Sequence, residues 1–198
     1  MLLDTLVLVA QSLNHADALW GVGASTLLYY HGLVSEPHDI DILTSEADIE
    51  VVAATLRELG IEKLSEPGEL YSTSRFLEYV INGTDVDVMA GLAIKHADGT
   101  YVLPFDRRSI TAKRTEDGVT VPLMSLEDWY VVYQLIPGRE AKVKLIEDHI
   151  LTSQRTDLEL LDRELDLELP LHVRTRVEGL MASCGRSRYQ EIRSVRRS

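Results

Sequence analysis

The chain has 198 residues, 45% of them hydrophobic, enough for one medium domain, or a compact domain with a smaller appendage, around a real core. A formal net charge of −12 argues against a general nucleic-acid or anionic-membrane surface, which would need surplus Lys and Arg, and makes a long nucleic acid an unexpected partner. The single cysteine, Cys184, can form no internal disulfide, in keeping with a reducing cytoplasm, and no apolar run reaches membrane-spanning length, so no membrane partner is expected.

Leu3, Leu6, Val7, Ala10 and Leu13 recur at helical spacing and predict a first helix. That stretch has no basic leader and carries Asp4, so it reads as a buried helix face rather than a signal peptide. Ala18 to Val22 reads as a short buried strand, and Gly23-Ala24-Ser25 then opens a helix with the face Ala24, Leu27, Leu28 and His31. A Gly/Ser turn at a helix start offers backbone N–H groups to an anion. Ser35-Glu36-Pro37 breaks the chain before a strand from His38 to Leu43. Ser45 with Asp48 predicts a cap for the helix lined by Ile49, Val52, Leu56 and Leu59, closed by Gly60.

Two strands, Arg75 to Ile81 and Asp85 to Met89, read as a hairpin about Asn82-Gly83. Tyr101 to Phe105, a segment at Ile110 and Val119 to Leu123 add β-structure, with a second turn at Asp117-Gly118. After Met124 the period changes from two to helical, beginning with the capping pair Ser125 and Asp128. Helix faces follow at Leu126, Trp129, Tyr130 and Tyr133; at Val143, Ile146 and Ile150; at Leu158, Leu161 and Leu165, capped by Thr156 with Glu159; and at Val173, Val177, Leu180 and Cys184. The expected organisation is a domain over 1–124, a helical subdomain over 125–184, and a mobile basic tail over 185–198, where five arginines face one glutamate.

The chemistry concentrates in two short acid pairs, Asp39-Ile40-Asp41 and Asp85-Val86-Asp87. In strands, alternation sends the acids to one face and Ile40, Ile42, Val86 and Val88 to the core. Carboxylates brought together repel, and the arrangement makes sense if hard cations such as Mg²⁺ hold them. A lone Asp-x-Asp is ordinarily a solvent face. What separates this chain from that reading is the order of parts: strand, Gly/Ser turn, helix, acid pair, then a second acidic strand.

That order resembles the nucleotidyltransferase superfamily, the polymerase-β-like minimal fold. The resemblance rests on Val22-Gly23-Ala24-Ser25 and Pro37-His38-Asp39-Ile40-Asp41-Ile42 and covers about residues 18–90. Ala24 stands where the pattern most often has a second Gly, placing a methyl group where close approach is at issue. The resemblance implies an α/β (α+β) fold, a mixed sheet flanked by helices with a helical subdomain behind it. It implies that Asp39 and Asp41 hold Mg²⁺ against a nucleoside triphosphate, and that Gly23 and Ser25 meet the phosphates. A third carboxylate would share the metal and activate an acceptor hydroxyl; Asp87 is assigned that role, with Asp85 the alternative because alternation cannot separate residues two apart.

Arg139 and Lys142 share one side of a later helix with His149, and Lys142 is the residue of choice for the triphosphate, against an ordinary solvated basic stripe. His38, beside the acid pair, is a further substrate-binding candidate or else a loop histidine. Trp129 and Tyr133 could stack on a base, but their spacing makes them core residues first. The expected activity is Mg²⁺-dependent transfer of a nucleoside monophosphate from a triphosphate such as ATP to a hydroxyl acceptor, a small molecule or protein, in the cytoplasm. Two other readings are a catalytically silent domain of this fold acting as a regulatory partner, of toxin–antitoxin type, and a glycosyltransferase using Asp-x-Asp on a nucleotide sugar. Acceptor, nucleotide preference and oligomeric state are not encoded in any motif.

Overall fold

The structure, a computed structural model, describes residues 2–64, 68–153 and 156–195, with side chains described as far as Gly185. The chain divides into two units: residues 1–95 with Val102–Ser125, and His96–Tyr101 with everything from Leu126 onward.

The first unit is a sheet flanked by helices. Its elements are α1 (Leu2–His15), β1 (Trp20–Val22), α2 (Ala24–Tyr30), β2 (Ile40–Thr44), α3 (Ile49–Arg57), β3 (Ile61–Lys63), β4 (Arg75–Ile81) and β5 (Thr84–Ala90). A hairpin, β6 (Ala93–His96) with β7 (Gly99–Val102), precedes β8 (Ile110–Glu116) and β9 (Val119–Met124). Seven strands form one mixed sheet in the order β3-β4-β5-β2-β1-β9-β8. Among the described residues, the parallel pairs are β2–β5 and β1–β9. Hairpin turns join β4 to β5 and β8 to β9: Asn82-Gly83 and Asp117-Gly118 all take positive φ, the geometry of a two-residue turn whose twist matches its strands.

The core follows the apolar period. Leu6, Val9, Ala10 and Leu13 of α1 and Ile49, Val52, Ala53 and Leu56 of α3 are buried, as are Ile40, Ile42, Val86 and Val88 from the two central strands. Each of these Leu, Ile and Val side chains contributes about 1.5–3 kcal/mol when fully buried. The short strand β3 has no apolar alternation to announce it. It exists because the chain, turning at Gly60, lies against β4 so closely that a Cβ there would stand 2.3 Å from the Val80 carbonyl oxygen.

The second strand begins at Ile40, two residues later than the expected His38, so Asp39 lies in a bend ahead of it. Ser45 does close the turn before α3: its Oγ accepts from the Asp48 backbone N–H (3.1 Å) and donates to the Asp48 carboxylate (2.7 Å).

The second unit contains α4 (Leu126–Leu135), α5 (Glu140–Thr152), α6 (Leu158–Leu165) and α7 (Leu171–Val195). The first residue of the capping pair expected for α6 is not the cap. Asp157 caps it, accepting from the Glu159 N–H at 3.0 Å, while Thr156 Oγ1 donates to the Ile150 carbonyl. The buried face of α6 is therefore Leu160, Leu161 and Glu164 rather than Leu158, Leu161 and Leu165. The segment expected as a basic tail from 185 is helical in α7 to Val195; residues 196–198 lie outside the described part.

Burying Glu164 has consequences. Tyr101 Oη donates to its Oε2 at 2.6 Å, and Arg163 Nη2 donates to fully buried Asp128 at 2.8 Å. Two carboxylates thus share one guanidinium, and burial followed by the Asp128 charge holds the Glu164 carboxyl well above the usual range.

Candidate active site

Parallel pairing of β2 with β5 sets Ile40 beside Val86, Asp41 beside Asp87 and Ile42 beside Val88. Neighbouring strands lie about 5 Å apart, so residues in register present side chains to the same face. The apolar members go to the core and the acids to the other side. One carboxylate oxygen from each of Asp39, Asp41 and Asp87 lies within 4.8 Å of the other two. Three hard oxygen donors bearing up to three negative charges suit a hard divalent cation such as Mg²⁺ and would be poorly matched to a soft metal.

Charge crowding shows in Asp87, whose carboxyl is pushed up to about 6. Burial is the main cause, followed by the charges of Glu78, Asp39 and Asp85, with Lys63 opposing them. Glu78 stands opposite Asp87 on β4, and Lys63 stands opposite Glu78 on β3. A polar row thus crosses four strands: Asp41, Asp87, Glu78, Lys63. Asp85 takes a different partner, the Lys63 ammonium at 2.5 Å, on an exposed part of the sheet.

The turn before the acids is bonded directly to them. Gly23 N–H donates to the Asp41 carbonyl (2.9 Å), Thr26 Oγ1 to the Asp39 carbonyl (2.8 Å), and Ser25 Oγ to Asp39 Oδ1 (2.9 Å). Ser25 Oγ also accepts from the His38 backbone N–H at 3.1 Å, while the His38 side chain is exposed. Ala24 adopts φ +43°, a left-handed conformation that its Cβ makes unfavourable.

Arg139 and Lys142 belong to the helical unit. Arg139 precedes α5 at its N-cap position, and Lys142 Nζ donates to Tyr133 Oη at 3.4 Å and lies 5.0 Å from that ring's centre. Trp129 and Tyr133 are buried against each other, with ring centres 5.2 Å apart. Glu78 and Thr26 escaped the sequence reading. Glu78 is an acid in an unremarkable strand until register puts it beside Asp87, and Thr26 is a buried helix residue until its hydroxyl is seen to reach Asp39.

A mixed sheet with an acid pair at the start of one strand, a third acid in register on its parallel neighbour, and a Gly/Ser turn bonded beneath them defines a nucleotidyltransferase. The chain belongs to the aminoglycoside-2''-adenylyltransferase family, whose model matches residues 5–151. Among solved structures it is similar to a Thermotoga maritima protein assigned as a nucleotidyltransferase, with 26% identity over 75% of this chain and 91% of that one and a TM-score of 0.56. ANT(2'')-Ia in complex with adenylyl-2''-tobramycin shares the fold, at 16% identity, 93% and 99% coverage and a TM-score of 0.51. The solution structure of ANT(2'')-Ia does so at 16% identity, 98% coverage of both chains and 0.51. No curated protein matches the chain.

Proposed function

We propose that this enzyme is a Mg²⁺-dependent adenylyltransferase that moves AMP from ATP to a hydroxyl of a small polycationic acceptor of the aminoglycoside kind. The observation that carries the reading is the convergence of Asp39, Asp41 and Asp87 within 4.8 Å on one sheet face. Family membership supports adenylyl transfer, and Glu78, in register beside Asp87, extends the negative face in a way that favours an acceptor bearing ammonium groups.

The acceptor hydroxyl gives its proton to the Asp87 carboxylate, which the β2–β5 register sets beside Asp41 on the face that carries the acids. The hydroxyl oxygen forms a bond to the α-phosphorus as the α–β bridging P–O bond breaks, and pyrophosphate leaves with the bonding pair. Asp39 and Asp41 hold their places through the strand register and the hydrogen bonds from residues 23–26. A divalent cation bound by the three carboxylates would supply neutralisation of the phosphate charge as it shifts toward the leaving oxygen.

The test is incubation with each labelled nucleoside triphosphate and Mg²⁺, with and without aminoglycosides, reading pyrophosphate and the mass of the acceptor. The expected product is acceptor plus one AMP, lost on chelation. Pyrophosphate formed with other acceptors only would overturn the acceptor class. Nucleotide binding without turnover would make the protein a silent relative, and transfer of a sugar from a nucleotide sugar would replace the reaction altogether.

A further inference from the structure

Asp39 is the one acid of the three that no strand orients, because β2 starts only at Ile40. Its conformation must come from elsewhere, and two side chains of α2 supply it. Thr26, fully buried, fixes the Asp39 backbone through its carbonyl, and Ser25, 3% exposed, fixes the carboxylate through Oδ1. A serine hydroxyl has a single proton to donate. Here it goes to Asp39, and an oxygen lone pair is taken by the His38 N–H. The hydroxyl is thereby committed on both its donor and an acceptor side to the segment that carries the first acid.

We propose that Ser25 is a positioning residue for Asp39, acting through the carboxylate to complete the cation site rather than donating its hydroxyl to the triphosphate. The proposal rests on the reading of Asp39, Asp41 and Asp87 as that cation site. A phosphate donor and a carboxylate orienter differ in one measurable respect: only the second changes metal affinity when no nucleotide is present. Partners that orient metal ligands commonly alter metal affinity about 10–100-fold when removed.

Mn²⁺ binding to the full chain, followed by electron paramagnetic resonance or calorimetry without nucleotide, should weaken about tenfold in Ser25→Ala. Ser25→Thr, which restores a hydroxyl, should recover most of the loss. ATP binding in the presence of chelator should be the same for parent and Ser25→Ala. Unchanged Mn²⁺ affinity in a folded Ser25→Ala, or weaker ATP binding under chelation, would overturn the proposal. Should Ser25→Ala fail to fold, Thr26→Val decides: it removes the companion bond to the Asp39 backbone at nearly constant volume, and an unchanged Mn²⁺ affinity there refutes the positioning role of the turn. Asp41→Asn is the control for the underlying site. If it leaves Mn²⁺ affinity intact, the cation site itself is misplaced; if it abolishes binding while Ser25→Ala does not, the positioning role alone fails.

Discussion

Replacing Asp87 with Asn should stabilise the metal-free protein at neutral pH and leave it unaltered in acid. Asp87 has a folded-state pKa of about 6 against an ordinary 3.8. A group whose pKa is raised by folding favours the folded state fully below its unfolded value and withdraws that support as pH rises through the folded value. Each unit is worth about 1.36 kcal/mol, so the full difference of about two units corresponds to about 3 kcal/mol. The carboxylate is only partly buried, and water reaching it screens the repulsion, which reduces the expected effect to about 1–2 kcal/mol. Asn is nearly isosteric and never ionises, so the variant should match the parent near pH 3.5, gain between pH 4 and 6, and hold its advantage at pH 7. The assay is urea denaturation of both proteins across that range with chelator present, followed by addition of Mg²⁺. The parent should gain stability from the cation by mass action and the variant should gain far less. A difference independent of pH, or a variant less stable than the parent at pH 7, would refute the claim that crowding and burial raise this carboxyl.

Glu164→Gln keeps an acceptor for Tyr101 while removing a carboxyl held high by burial, so it should flatten the loss of stability above neutral pH; Glu164→Ala should instead cost about 2–4 kcal/mol, readable by chemical denaturation. Gly60→Ala should cost about 1–3 kcal/mol because the new methyl meets a backbone carbonyl, whereas Gly179→Ala, in α7 with nothing within 4 Å of its Cβ position, should add up to about 1 kcal/mol; melting curves would separate the two. Asp85→Asn should leave turnover near the parent's while Asp87→Asn abolishes it, since Asp85 faces Lys63 at the exposed side of the sheet; equal losses in a steady-state assay would mean both acids serve the reaction.

The acid motifs, the hairpin turns and the change from strand to helical period were legible in the sequence because each is local. Alternation places Asp41 opposite Ile40 and Ile42, Asn82-Gly83 and Asp117-Gly118 suit positive φ, and amphipathic spacing marks α1, α3, α4 and α5. What local chemistry could not decide was register and contact across the chain. Asp85 and Asp87 are equivalent by alternation, and only the pairing of β2 with β5 sets Asp87 beside Asp41 while β3 brings Lys63 to Asp85. Strand β3, the burial of Glu164 and the hold of Ser25 and Thr26 on Asp39 depend on partners 13 or more residues away. Periodicity reports which face of an element is apolar, whereas the identity of the group that meets that face is settled only when the elements pack.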